Sequence, residues 1–198
     1  MIIHNCEQGT EKWFECRRGK FTGSKFYPLM GTSKKNKTYL DILYRVAYER
    51  LSGKTVESGY KSKDMERGNE QEPDARLWYE VKNNIFVDQV GFIEHNEWVG
   101  ISPDGLVEDS GMLEIKSAKE NVQIHRLLKN ELPSEHRYQI QGGLWVAERE
   151  WCDFVSYNPD LPKLQLRIYR DEKTIKELET RTSEAIEEVK ELLTKLRA

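Results

Sequence analysis

The chain is poor in cysteine, with 3 in 198 residues, at Cys6, Cys16 and Cys152. An odd, widely spaced set without a Cys-x-x-Cys pair argues against a disulfide scaffold, an iron–sulfur cluster and a zinc site. It suits free thiols in a reducing cytoplasm. Long apolar runs are missing too, so no membrane span is expected, and the first residues lack the basic-then-apolar pattern of a secretory leader. Neither sign of charge dominates: 31 Lys and Arg against 34 Asp and Glu leave −3. Contact with a polyanion must therefore come from local patches. The 4 histidines show no ligand-like spacing. What is there, 37% hydrophobic and 33% charged residues, reads as one soluble globular domain over 1–198 with a real core.

The chemistry concentrates in residues 98–116, Trp-Val-Gly-Ile-Ser-Pro-Asp-Gly-Leu-Val-Glu-Asp-Ser-Gly-Met-Leu-Glu-Ile-Lys. Two short apolar runs flank a polar, glycine-containing turn, the pattern of a β-hairpin. Asp104 sits in a Pro-Asp-Gly corner where the first run stops. Glu114 and Lys116, two apart, share a strand face, and Ile115 points the other way toward a core. Such a layout brings two carboxylates and an ammonium within a few ångströms. Carboxylates suit Mg²⁺, and Lys116 would position the water that the ion acidifies. A phosphodiester-cutting centre is one reading. Ordinary turn chemistry at Asp104 and a solvated Glu-x-Lys face are the other, and these few residues leave both open.

Around this stretch the pattern alternates helix and strand. Thr10 is placed to cap a helix carrying Trp13, Phe14 and Arg17 that Gly19 ends, and Thr22 or Ser24 to cap the next. That second helix start, with Arg17 and Ser24 beside it, can serve as a phosphate pocket; on these residues alone a capped helix with solvated arginines is favoured. A basic loop begins at Ser33. Helical spacing covers 39–52, and 54–63 reads as loop. Residues 64–82 read as a helix bent or broken at Gly68 and Pro73, with Glu72 able to face the active centre. Strands are predicted at 85–93 and 98–101, helices at 120–130 and 134–147, and further strands near 151–157 and 163–169. Gly142 and Gly143 in the second of those helices suggest close packing on the sheet. Asp171 caps a final long helix whose stripe runs Ile175, Leu178, Thr182, Ala185, Val189, Leu192 and Leu196.

In order and spacing, these segments resemble the lambda-exonuclease-type (viral recombinase, alkaline exonuclease) branch of the PD-(D/E)xK nuclease superfamily. The resemblance rests on Glu7-Gln8-Gly9, Trp13, Arg17-x-Gly19 and Thr22-x-Ser24, and on Gly68-x-x-x-Glu72-x-Asp74-Ala75-Arg76. It continues through Ser102-Pro103-Asp104-Gly105, Leu113-Glu114-Ile115-Lys116, Gln139-x-Gln141 and Trp145-Val146. It departs at His136, where the family often has tyrosine.

The resemblance implies an α/β fold with a restriction-endonuclease-like core: a central mixed β-sheet flanked by helices, with a long C-terminal helix. It implies that Asp104, Glu114 and the Ile115 carbonyl hold Mg²⁺, one of two ions that Mn²⁺ can replace, with Glu72 near the second. Lys116 would orient the attacking water. Arg17 and Ser24 would hold a 5′-phosphate, Gln139 would bridge it to the metal region, and Met65 would part the terminal base pairs. The implied activity is 5′→3′ digestion of one strand at double-stranded DNA ends by a trimeric ring, leaving 3′ single strands for an annealing protein. A restriction- or repair-type endonuclease and a non-catalytic DNA-binding recombination scaffold are the alternatives.

Overall fold

The computed structural model describes residues 1–31, 36–56 and 63–197. The first half of the basic loop from Ser33, and most of the polar stretch 54–63, lie outside them. No helix among the described residues is long and apolar enough to cross a membrane.

The mixed α/β architecture with its long C-terminal helix is as expected, but the strands divide between two sheets. One has the order β1 (Ile2–His4), β4 (Phe92–Asn96), β5 (Val99–Ile101), β2 (Phe21–Thr22); the other runs β3 (Val87–Asp88), β6 (Gly105–Val107), β7 (Gly111–Ser117), β8 (Trp151–Tyr157), β9 (Leu164–Tyr169). Each sheet is mixed: β2 lies parallel to β5, and β7 parallel to β8. This corrects the hairpin expected over 98–116. The apolar run at β5 pairs with β4 in the first sheet, and β7 pairs instead with the short β6. Ser102-Pro103-Asp104 is thus the crossing between sheets, where proline cannot donate to a ladder.

The second sheet is covered on both faces, so β7 and β8 are almost wholly buried. The period of two sorts their side chains. Leu113, Ile115 and Val155 pack with Ala75 and Tyr79 of α4 (Lys63–Asn83), whereas Met112, Cys152 and Phe154 join the larger core of α2 (Gly23–Gly31), α3 (Lys37–Ser52), α6 (Ser134–Val146) and α7 (Glu172–Arg197). The three cysteines are free thiols.

Helix α4 runs unbroken through Pro73, against expectation. The carbonyl that loses its donor belongs to exposed Asn69, so water can satisfy it. Further along, the Tyr79 hydroxyl donates to buried Asp153 on β8 at 2.6 Å. Asp153 also accepts from Arg167 at 2.9 and 2.8 Å and from Gln165 at 3.1 Å, so this buried charge is fully bonded. Asp171 caps α7 through the Lys173 and Thr174 amides. The α7 stripe shifts by one at its end: Leu193 is buried while Leu196 is 65% exposed. The contact face advances by four after Val189, following the 3.6-residue turn.

The two glycines of α6 (Gly142 and Gly143) answer to different neighbours. A Cβ at Gly143 would sit 2.5 Å from Met112 Cε on the sheet, and one at Gly142 would sit 2.2 Å from the fully buried Phe26 ring on α2. Gly142→Ala gains about 1 kcal/mol of helix propensity but overpacks this contact by about 1–3 kcal/mol or more. A net loss of stability is expected in denaturant titration; an unchanged or higher midpoint would show that the ring moves aside freely.

Candidate active site

Antiparallel pairing of β6 with β7 sets Gly105 opposite Leu113, so one step beyond that ladder Asp104 comes opposite Glu114. The Asp104 side chain turns back onto β7, where Oδ2 accepts from the Ile115 amide at 2.6 Å. Ile115 itself points its side chain into the core on the α4 side. Glu114 points to the opposite face, and its Oε1 accepts from Lys116 Nζ and, at 2.5 Å, from Gln139 Nε2 on α6. Glu114, Lys116 and Gln139 therefore form one bonded group, with Asp104 held next to it by the Ile115 amide.

Burial raises both carboxyls above their usual range. Glu114 is pushed up to about 7, with Lys116 opposing and Asp104 and Glu72 adding to the rise. Asp104 is also raised by burial, against the pull of Lys116, the Ile115 amide and Arg76. Burial would lower Lys116, but Glu114 and Asp104 outweigh it and raise it. Glu72, on α4, is paired with Arg76 and pushed up to about 6 by burial and by Asp104. Its charge reaches the centre, yet no three His, Cys, Asp or Glu side chains among the described residues converge tightly enough to hold a metal. The donors on offer to a cation are the carboxylate pair with main-chain oxygen, and Glu72 stands outside that set.

A cleft of about 1890 Å³ opens over Asp104, with Glu72, Met65, Ser24 and Arg17 on its wall. Met65 is 53% exposed at this wall. Arg17 lies over the Trp13 ring at 4.1 Å and donates to Ser102 Oγ at 2.8 Å; burial, then Arg45, lowers it to about 10. Neither Thr22 nor Ser24 makes the expected helix cap. α2 begins at Gly23, Ser24 sits in its first turn, and the buried Thr22 hydroxyl has no hydrogen-bond partner among the described residues. This first turn abuts the partner of Glu114: Gln139 Cγ lies 3.7 Å from where a Gly23 Cβ would be.

Sequence reasoning gave no role to several groups that hold this arrangement. Gln8 Nε2 donates to the Pro103 carbonyl at 2.9 Å, and Trp13 Nε1 to Ser102 Oγ at 2.8 Å, fastening the Ser-Pro-Asp crossing. Gly19, in the left-handed region at φ +66, is gripped through both peptide groups by α3. Its amide donates to Glu49 at 2.8 Å and its carbonyl accepts from Arg50 at 2.7 Å. His136, at the family's tyrosine position, accepts from Arg126 at 3.0 Å; burial with Lys116 and Arg126 pushes it down to about 3, so it is neutral. The motif order hinted at Gln8, Trp13 and Ser102, whereas nothing local marked Glu49.

A family model of the YqaJ-like viral recombinase domain matches residues 12–150. The chain belongs to this family. Its structure is similar to that of an alkaline exonuclease (LHK-Exo) from Laribacter hongkongensis, with a TM-score of 0.86 at 33% identity over 95% of this chain and 96% of that one. LHK-Exo in complex with dAMP gives 0.87 at 34% identity, with the same coverage. A phage-related exonuclease from Haemophilus somnus 129PT shares the fold, with a TM-score of 0.66 at 18% identity over 89% of this chain and 96% of that one. The uncharacterized protein R354 of Acanthamoeba polyphaga mimivirus is 26% identical over 115 residues, which is 50% of this chain and 21% of that protein. The branch read from motif order is thus the right one.

Because Glu114 is protonated more readily folded than unfolded, its stabilising proton is fully bound below about pH 4.5 and lost as pH rises through about 7. The Tm of metal-free protein should carry a fall between about pH 5 and pH 7.5 that E114Q lacks. Identical slopes in the two proteins would contradict the buried, strained carboxyl.

Proposed function

We propose that residues 1–198 act as one metal-dependent deoxyribonuclease domain that digests one strand of linear double-stranded DNA from its 5′-phosphorylated end, in the 5′→3′ direction. Family membership and full-length similarity to an alkaline exonuclease support the coarser class, a nuclease of the recombinase type. The observation that carries the finer reading is the placement of Gln139, which donates to Glu114 and packs its Cγ against Gly23 in the first turn of α2, next to Ser24. It joins a hydrolytic centre to a phosphate pocket at one end of a cleft.

Two carboxylates raised by burial, Glu114 further by Asp104, with no third acid converging on them among the described residues, suit a hard cation that keeps several waters, as Mg²⁺ does. Asp104, Glu114 and the Ile115 carbonyl would hold it, Glu72 would engage the waters of a second ion, and Mn²⁺ would substitute. When bound, Mg²⁺ supplies a more acidic water and charge neutralisation at the phosphate. Lys116, kept cationic by Glu114 and Asp104, orients the attacking water and stabilises negative charge developing beside it. Arg17 and Ser24 grip the terminal phosphate, Gln139 keeps that phosphate and Glu114 in register, and Met65 at the wall parts the end base pairs. The same proposal includes a trimeric ring and a single-strand annealing partner. Exposed Leu77 and Val81 on α4, Phe86 before β3, and Ile124 and Leu128 on α5 (Glu120–Lys129) support it as apolar surface that other chains would cover.

Linear duplexes with 5′-phosphate or 5′-hydroxyl ends, incubated with and without Mg²⁺ beside a closed circle, test the reading in one gel. Digestion should require Mg²⁺, prefer the phosphorylated end and spare the circle. D104N and K116A should each lower the rate by about a hundredfold or more, and R17A should shrink the end preference by about tenfold or more. A cleaved circle would favour the endonuclease alternative, and full activity in D104N would remove the catalytic assignment.

A further inference from the structure

Next to the carboxylate centre, the wall of the cleft carries the opposite sign. Arg17, Lys25 and Arg45 all line it, with Thr22, Ser24 and two acids of α3, Asp41 and Glu49. Both are already engaged: Asp41 pairs with Lys37 at 3.9 Å, and Glu49 accepts from the Gly19 amide at 2.8 Å, the Val56 amide at 3.2 Å and Arg45 Nε at 3.3 Å. Arg45 is further bonded to the Val56 carbonyl at 2.5 Å. Arg17 and Lys25 have neutral partners only, among the described residues: Ser102 Oγ for the first and, at 2.7 Å, the Lys20 carbonyl for the second. Lys25 Nζ, with two further N–H bonds to give, is half-buried at the mouth of the α2 first turn. Thr22, 2% exposed, adds a hydroxyl that no group among the described residues satisfies. Two cations lacking an anion, an orphan hydroxyl and the free amides of a helix start describe a site for a compact, doubly charged oxyanion.

We propose that Lys25, assisted by Thr22, is the residue by which this protein tells a terminal phosphate monoester from an internal phosphodiester. The inference rests on the 5′-end reading above and deepens it. Arg17 can pair with the singly charged diester as well as with the monoester, which carries about −1.5 to −2 at neutral pH. A second cation at the same pocket rewards the extra charge and the extra oxygen, and Lys25 stands where that cation is needed. Its charge is poised. Burial, with Arg45 and Arg17 beside it and Glu49 opposing, pushes the ammonium down to about 8. The preference for phosphorylated ends is therefore strongest at neutral pH and weakens as the ammonium is lost on the alkaline side.

The test reads binding without catalysis. In EDTA, fluorescence anisotropy is measured for 5′-phosphorylated and 5′-hydroxyl duplexes at about pH 7 and about pH 9.5, with wild type, K25M and K25R. Wild type should favour the phosphorylated end at neutral pH, with the ratio shrinking at alkaline pH. K25M should lose about tenfold of that ratio at neutral pH and show no further decline. K25R, whose charge persists, should keep the ratio at both values, and it tests the pH arm even if K25M fails to fold. A wild type that discriminates while K25M keeps its ratio and its pH dependence would overturn the Lys25 assignment alone. A wild type indifferent to the end group would overturn the 5′-end reading, and the Lys25 assignment with it.

Discussion

The bond from the Ile115 amide to Asp104 is the constraint on which the rest of the site depends. Two carboxylates facing each other across neighbouring strands repel, and burial makes each harder to ionise. Left free, the Asp104 side chain would turn to solvent. The amide of β7 holds it over Glu114, while Lys116 and Gln139 share one oxygen of Glu114. The centre counts three acids, Asp104, Glu114 and Glu72, against Lys116 and Arg76. The excess is negative, and it lies at the foot of an open cleft.

The wall a short way off has the opposite balance, through Arg17, Lys25 and Arg45 against Asp41 and Glu49, both of which are already paired. Opposite fields side by side attract a cation and a phosphate to adjacent positions without either neutralising the other. Gln139 is suited to the seam between them because it is uncharged and can donate to one side while touching the other. The two-sheet layout explains how the halves meet. Asp104 lies on the crossing from one sheet to the other, and Gln8 and Trp13 fasten that crossing to the N-terminal segment that carries Arg17. Glu49 and Arg50 grip Gly19 from α3 and set where that segment leads into α2. The position of Arg17 and Ser24 is therefore set by groups that lie outside the carboxylate centre.

Elements with strong local patterns were legible: the α3 and α7 stripes, the apolar β8, and Glu114 sharing a face with Lys116. The division into two sheets was not, because β5 and β6 are three residues each and their partners lie far away in sequence. Pro73 signalled a break that did not occur, since propensity is a local quantity and the anchoring of α4 through Tyr79 to Asp153 is not. Thr22 looked like a cap and is instead an unsatisfied hydroxyl on the cleft wall.

By itself the sequence determined the period-two and period-3.6 faces, the kinds of chemistry available and, through motif order, the family, because each depends on neighbours in the chain or on their sequence spacing. Tertiary structure alone decided that Asp104 faces Glu114, that Gln139 sits between Glu114 and α2, and that Lys25 and Arg17 share a wall whose carboxylates are taken by other partners. Those are contacts between residues tens of positions apart, and a charge's energy depends on the distance and burial that only packing sets.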